Sequence, residues 1–145
     1  MRKRSLKIAD YAIKEIKGIG ETYAPKFRAV GIKTVADLLE KGKSPKGREE
    51  LAEATGISEK LILKWVDMSD LFRVKGIGPQ YSELLEKAGV DMVKELRHRV
   101  PAHLHAKMEE VNASTGKPLV RALPTLKAIE SWVEAAKHLE PVMTY

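Results

Sequence analysis

Apolar residues recur three and four positions apart along most of the chain, which is the spacing of an α-helix. The spacing is clearest where Ser58, a favoured type of N-cap residue, is followed by Leu61, Ile62, Trp65 and Val66. No stretch alternates convincingly between apolar and polar residues, as a half-buried strand would. The pattern therefore predicts an all-α fold.

Glycine, proline and capping residues mark where the predicted helices begin and end. Thr34 and Asp37 have the spacing of a capping box, with aspartate in place of glutamate, and Gly31 and Gly56 are placed to end helices. Apolar residues that can share one face predict a further short helix near residues 10–16. The other predicted helix starts are Ser44-Pro45, Ser58, Pro79, Pro101 and Pro124.

Two stretches of the chain repeat one pattern 58 positions apart. Lys17-Gly18-Ile19-Gly20 superposes on Lys75-Gly76-Ile77-Gly78 without a gap. The same shift superposes Tyr23 on Tyr81, Gly31 on Gly89, Val35 on Val93 and Leu38 on Leu96. Self-similarity at a fixed spacing indicates an internal duplication.

The duplication predicts two tandem modules of five helices each, residues 1–70 and 71–145. Trp65 and Trp132 lie 67 positions apart, so the second module holds nine residues more than a shift of 58 allows. We expect the additional residues within the loop at 112–118, which is rich in small and turn-forming residues.

Each repeated Lys-Gly-Ile-Gly stretch is predicted to be a tight turn between two helices. Glycine permits positive φ and close backbone approach, and outward-facing amides at a helix start attract anions. Pro25 lies about five residues into the helix after the first turn, so we expect the first hairpin to be distorted or its helix to start late. The residues predicted to contact a phosphate at the turns are Lys17, Gly18, Ile19, Gly20, Lys26, Lys75, Gly76, Ile77 and Gly78.

The turns resemble the helix-hairpin-helix motif of DNA-binding and DNA-repair proteins. The likeness rests on an aliphatic residue, any residue, Gly, an aliphatic residue and Gly, followed four positions later by a small residue, Ala24 or Ser82. The resemblance implies non-specific contact between the glycine-turn amides and a nucleic-acid backbone. In the familiar paired domain the two motifs lie close in sequence. Here about four helices separate them, so the sequence leaves open whether the turns share one surface.

Nearly the whole chain is similar to a small helical family of unknown function that is built from two such modules. In that family a Gly-Ile turn and a Trp-Val helix follow each hairpin. The corresponding residues are Gly31-Ile32, Trp65-Val66, Gly89-Val90 and Trp132-Val133. This resemblance implies the duplicated architecture and names no activity.

The formal charge of +6 and the pI of about 9.5 favour an anionic partner such as nucleic acid. However, residues 1–7 supply +4 of it through Arg2, Lys3, Arg4 and Lys7, which leaves +2 for the remaining 138 residues. The head is either a solvated tail or a phosphate-binding arm, and we include Arg2, Lys3 and Arg4 among the predicted contacts.

Several classes of site are absent from the sequence. The chain has no cysteine, which excludes disulfides, thiolate metal sites and cysteine nucleophiles. Pro101 separates His98 from His103 and His105, so no metal site is predicted, and no catalytic motif or cofactor site is recognised. No signal peptide or membrane-spanning run is visible, and we expect a soluble cytoplasmic protein.

Two hypotheses of function follow. The first is a non-enzymatic module that binds the DNA or RNA backbone non-specifically through the glycine turns. The alternative is a protein-interaction or scaffold module in which the turns are only structural. The sequence does not decide between DNA and RNA, and it leaves the oligomeric state open. The large aromatic residues recur at helical-face positions, which predicts core packing and not base stacking.

Overall fold

A computed structural model describes residues 10–114 and 116–145, so the basic head with Arg2, Lys3 and Arg4 lies outside the described residues. Within those ranges every regular element is a helix, and the one extended pairing is an isolated bridge between Ala12 and Thr34. The predicted all-α fold is confirmed. The elements are a 3₁₀ turn at Ile13–Glu15, α1 (Gly20–Arg28), α2 (Val35–Gly42), α3 (Pro45–Thr55), α4 (Glu59–Leu71), α5 (Pro79–Lys87), α6 (Val93–Leu96), α7 (Pro101–Ser114) and α8 (Leu126–His138).

The predicted capping residues hold the starts of their helices. Thr34 Oγ1 accepts from the amide of Asp37 at 3.1 Å, and Asp37 Oδ2 accepts from the amide of Thr34 at 3.1 Å, so the capping box is complete. Ser44 and Ser58 accept from amides three residues later. Each side chain satisfies an amide that the helix itself leaves without a partner.

Two expectations are wrong: the short helix at residues 10–16 and a late start of the helix with Pro25. Residues 10–16 form only a 3₁₀ turn, because the amide of Ile13 donates to Lys33 O and the amide of Val35 donates to Tyr11 O, which holds this segment extended against the loop before α2. Pro25 does not delay α1, which starts five residues before it. Proline has no amide to donate to the carbonyl of Glu21, four residues earlier. Because Pro25 is exposed, water can bond to that carbonyl instead.

The buried apolar side chains form two clusters that meet at the end of α4. The first cluster draws on residues 13–72 and the second on residues 71–136. Leu71 packs in the second cluster, whereas Phe72 packs in the first, with its ring centroid 5.4 Å from that of Tyr11. The chain therefore passes from one cluster to the other between two adjacent residues.

Residues 140–145 return to the first cluster, although the repeat assigns them to the second module. Val142 and Met143 pack against the first cluster, and the amide of Thr144 donates to Lys43 O at 2.8 Å. Arg48 is buried on α3 and donates to Thr144 O at 2.7 Å. Contacts of this kind, across about a hundred positions of sequence, join the C-terminal residues to the end of α2 and to α3.

Asp67 on α4 is buried beneath this returning segment and accepts a hydrogen bond from the hydroxyl of Tyr145. Burial raises the pKa of Asp67 to about 6, the nearby carboxylates of Asp91 and Asp70 add to the increase, and the Tyr145 hydrogen bond opposes it. The segment thus covers a carboxyl group that is about half protonated at pH 6.

Candidate nucleic-acid interface

The two glycine turns, at residues 17–20 and 75–78, have the same backbone form and the same aromatic neighbour. Gly18 and Gly76 have φ of 96° and 97°, a region that side chains with a Cβ rarely adopt. A Cβ on Gly18 would lie 3.2 Å from Nε1 of Trp65, and one on Gly76 would lie 2.9 Å from Nε1 of Trp132. Glycine is therefore needed both for its φ and for the close approach of an indole ring.

The aromatic residues belong to the core, as predicted. Trp65 and Trp132 are 2% and 3% exposed. Each packs against the tyrosine that follows its turn, with ring centroids 5.0 Å apart for Tyr23 and Trp65 and 5.4 Å apart for Tyr81 and Trp132. These tilted contacts fix the indole rings beneath the turns.

Only some of the amides expected to face an anion are free. The amide of Ile19 donates to Ile16 O and that of Ile77 donates to Val74 O, both at 3.1 Å, while the two side chains point into the core. The prediction of free amides is therefore wrong for both isoleucines, because their amides close the turns. The free donors are the glycine amides of both turns, which have no acceptor within the described residues: Gly18, Gly20, Gly76 and Gly78.

The second turn enters its helix with less backbone strain than the first. Gly20 is the first residue of α1 and has a φ of 47°. Gly78 is instead an extended N-cap, and Pro79 occupies the first position of α5. Proline suits that position, since its φ is already helical and it lacks an amide that the helix would leave unpaired. The amide donors of the second turn thus precede a regular helix start.

The turns lie next to each other, a point that the sequence left open. Lys17 Nζ is 3.3 Å from Oε1 of Glu83 on α5, so the first turn contacts the helix that follows the second. A Cβ on Gly78 would lie 2.9 Å from the hydroxyl oxygen of Tyr11. The segment before the first turn therefore forms one wall of the second.

Two open grooves flank the start of α5. The hairpin groove has a volume of about 430 Å³ and includes the glycines of the second turn. The loop groove, of about 440 Å³, lies on the other side of Gln80 and Tyr81 and reaches the loop after α7. The hairpin groove is lined by Tyr11, Glu15, Gly76, Gly78, Pro79, Gln80 and Tyr81, and the loop groove by Gln80, Tyr81 and residues 117–122.

The predicted cationic contacts have different surroundings. Lys75 is exposed and has no carboxylate partner within the described residues, whereas Lys17 is paired with Glu83. Lys26 Nζ lies 5.9 Å from the ring centroid of Tyr23. Glu15 is the one carboxylate that lines the hairpin groove. Lys75 is therefore the predicted lysine best placed to meet an anion at the second turn.

Lys117 and Arg121 line the loop groove, and neither was singled out from the sequence. Lys117 lies in the stretch assigned to the nine additional residues, and Arg121 follows it closely. A hydrogen bond of 3.0 Å from the hydroxyl of Tyr81 to Ala122 O holds this loop beside α5. The break in the repeat was thus the available signal for a basic loop near the second turn.

A family described as a domain of unknown function (DUF4332) matches residues 17–139. The chain belongs to this family. No curated protein and no solved structure matches it. The DUF4332 region includes both glycine turns, both tryptophans and the loop groove, but neither the basic head nor residues 140–145.

The described part of the DUF4332 chain contains neither a membrane-spanning helix nor a cluster of metal-ligating side chains. No helix between residues 10 and 145, Thr115 aside, is long and apolar enough to cross a membrane. Over the same residues no three metal-ligating side chains converge, and His98, His103 and His105 form no such group. The glycine turns are the feature whose donors point most directly to a ligand.

Proposed function

We propose that this DUF4332 chain is a duplicated pair of helix-hairpin-helix modules that binds the nucleic-acid backbone without sequence specificity. The duplication is supported by matched geometry. Gly18 and Gly76 have nearly the same φ, and each lies against an indole ring, that of Trp65 or that of Trp132. Two separate apolar clusters give each turn its own core.

The proposal rests on a set of free amides beside a lysine that has no carboxylate partner in the described part of the chain. Gly76 and Gly78 have no acceptor for their amides within the described residues, and both line the open hairpin groove next to Lys75. Backbone amides and a lysine ammonium are donors that bind phosphate oxygens. The second turn is therefore the principal proposed site.

The loop groove extends this site along the surface. Lys117 and Arg121 lie across Gln80 and Tyr81 from the second turn, so a backbone seated at Gly76 can continue toward them. Backbone amides, lysine and arginine at these positions contact phosphate and sugar and do not read base edges. We therefore propose binding that has no sequence preference and involves no catalysis. The first turn has a lesser role, because Glu83 already neutralises Lys17.

The alternative is a protein-interaction module, and one observation favours it. Glu15 faces the hairpin groove and Glu83 lies close to both turns, so carboxylates stand near the proposed phosphate site. An anionic polymer is repelled by these groups, whereas a partner protein with basic side chains is attracted. The two functions predict different results when partners are captured after nuclease treatment and when the charge of Lys75 is reversed.

Fluorescence anisotropy with labelled duplex DNA, single-stranded DNA and RNA tests the proposal over a series of salt concentrations. We expect sequence-tolerant binding that weakens steeply as salt rises, since phosphate contacts release counterions. Lys75→Glu should weaken binding severalfold and reduce the salt slope. Lys46→Glu makes the same charge change at an exposed lysine on α3, away from both grooves, and should have little effect.

A chain that starts after Lys7 separates the basic head from the turns. If the shortened chain loses all binding and Lys75→Glu loses none, the head is the binding element and the proposal for the second turn is wrong. If no nucleic acid binds the full chain, and partners from a tagged pull-down survive nuclease treatment, the interaction module is the better interpretation.

A further inference from the structure

The indole nitrogen of Trp132 is a donor without an acceptor. The side chain is 3% exposed and lies beneath the second turn, where Nε1 is 2.9 Å from the position of a Cβ on Gly76. It donates to no acceptor within residues 10–114 and 116–145. Buried polar groups almost always have a hydrogen-bond partner, so this donor calls for an explanation.

The nitrogen is nevertheless within reach of solvent. In the described part of the chain, the one fully enclosed side-chain N or O atom without a hydrogen-bond partner is Glu86 Oε2. Nε1 of Trp132 also lacks a partner in this part of the chain but is not among such enclosed atoms, so it keeps some exposed surface, and it lies beside Gly76. A ligand seated on the Gly76 turn can therefore accept a hydrogen bond from it.

We propose that Trp132 adds a side-chain donor to the phosphate site of the second turn, an inference that rests on the proposed function. The free amides of Gly76 and Gly78 and the indole N–H then hold the same phosphodiester group. The indole nitrogen donates and cannot accept, which suits an oxyanion. Tyr81 packs against the ring and keeps the donor in place before the ligand arrives.

Trp65 makes the matching arrangement at the first turn, with Nε1 3.2 Å from the position of a Cβ on Gly18. It is 2% exposed and likewise has no acceptor in the described part of the chain. Because Lys17 beside it is paired with Glu83, the first turn lacks the free cation of the second. The two tryptophans thus provide a matched pair within one molecule.

The test compares Trp132→Phe with Trp65→Phe in the anisotropy titrations. Phenylalanine keeps an aromatic ring against the tyrosine and removes the N–H. We expect Trp132→Phe to weaken duplex DNA binding about tenfold, the effect of one hydrogen bond to a charged acceptor. Trp65→Phe should have a smaller effect. Since the lost donor is neutral, the salt slope should stay unchanged in Trp132→Phe but fall in Lys75→Glu.

The two indole N–H signals in a proton–nitrogen NMR spectrum of the wild-type chain give a second measurement that needs no folded variant. Addition of the duplex, or of inorganic phosphate at constant ionic strength, should shift the Trp132 signal downfield before the Trp65 signal. Unchanged affinity in Trp132→Phe together with a stationary Trp132 signal overturns this inference while DNA binding itself persists. Absence of any DNA binding by anisotropy instead overturns the proposed function.

Discussion

Lys17 Nζ lies 3.3 Å from Oε1 of Glu83, so the lysine of the first glycine turn pairs with a carboxylate on the helix after the second. The two side chains are 54% and 21% exposed. An ion pair at this exposure contributes little to stability, typically about 0 to 1 kcal/mol. Its main consequence is electrostatic, because it places one positive and one negative charge at the junction of the turns.

Glu83→Gln should strengthen nucleic-acid binding, by roughly two- to fivefold at low salt. The change removes a negative charge near the site and releases Lys17 to meet phosphate. Anisotropy titrations measure the effect, and the salt slope should increase. Glu53→Gln is a suitable control, since Glu53 is an exposed carboxylate on α3 that lines neither groove. Equal gains in the two variants would show that only the net charge matters.

Gly76→Ala should destabilise the fold by about 2 to 4 kcal/mol, which urea unfolding can measure. The added Cβ meets positive φ and the indole of Trp132 at once. Gly56→Ala separates the two causes, because Gly56 has a φ of 75° and no atom within 4 Å of the added Cβ. It should cost only about 1 kcal/mol. Similar losses in both variants would contradict the role assigned to the indole contact.

Asp67 should make stability fall as the pH rises from 3.8, its ordinary pKa, to about 6, its pKa in the folded chain. The folded state binds the proton more tightly than the unfolded state, so the stabilisation is fully present below pH 3.8 and is lost above pH 6. Relative to Asp67→Asn, the wild type should lose up to about 3 kcal/mol over this interval in chemical unfolding. Parallel curves for the two proteins would show that Asp67 is not the titrating group.

Tyr145→Phe tests the hydrogen bond to Asp67 directly. The Tyr145 hydroxyl lowers the pKa of Asp67 against the effect of burial, so its removal should raise that pKa above 6. The carboxyl carbon shift of Asp67, followed by NMR as a function of pH, reports the change. A pKa that falls would mean that the loss of Tyr145 opens the site to water, so that burial is relieved.

Arg48→Lys should destabilise the fold by about 1 to 3 kcal/mol. Arg48 donates through separate nitrogens to Gly42 O at 2.8 Å and to Thr144 O at 2.7 Å, and its guanidinium lies over the ring of Tyr145. A single ammonium cannot reproduce this planar fork. Thermal unfolding measures the loss, and proteolysis should detach residues 140–145 first. Unchanged stability and protection would show that apolar packing alone holds that segment.

Local patterns predicted most of the helices. The capping residues Thr34 and Ser58 and the glycine at position 56 act within one or two turns of backbone, so their effect is visible in a short window of sequence. The structure of residues 10–16 could not be predicted from local patterns. The amide of Ile13 donates to Lys33 O and the carbonyl of Tyr11 accepts from the amide of Val35, which are contacts that no local pattern contains.

The candidate site, like the fold, was predicted only in part from the sequence. The repeated glycines predicted both turns and the close approach beside Gly76, but not the partner, since Trp132 comes from a helix far along the chain. Lys75 and Lys17 look alike in sequence, yet only Lys17 pairs with a carboxylate in the described structure. The basic loop with Arg121 became part of the surface only through packing against Tyr81.

The sequence by itself determined the helical class, most helix boundaries and two glycine turns, because backbone dihedrals and caps depend on neighbouring residues. Tertiary structure decided which lysine is neutralised, that the turns adjoin, and that residues 140–145 return to the first cluster. These properties depend on side chains from distant positions that meet only when the two apolar cores pack together.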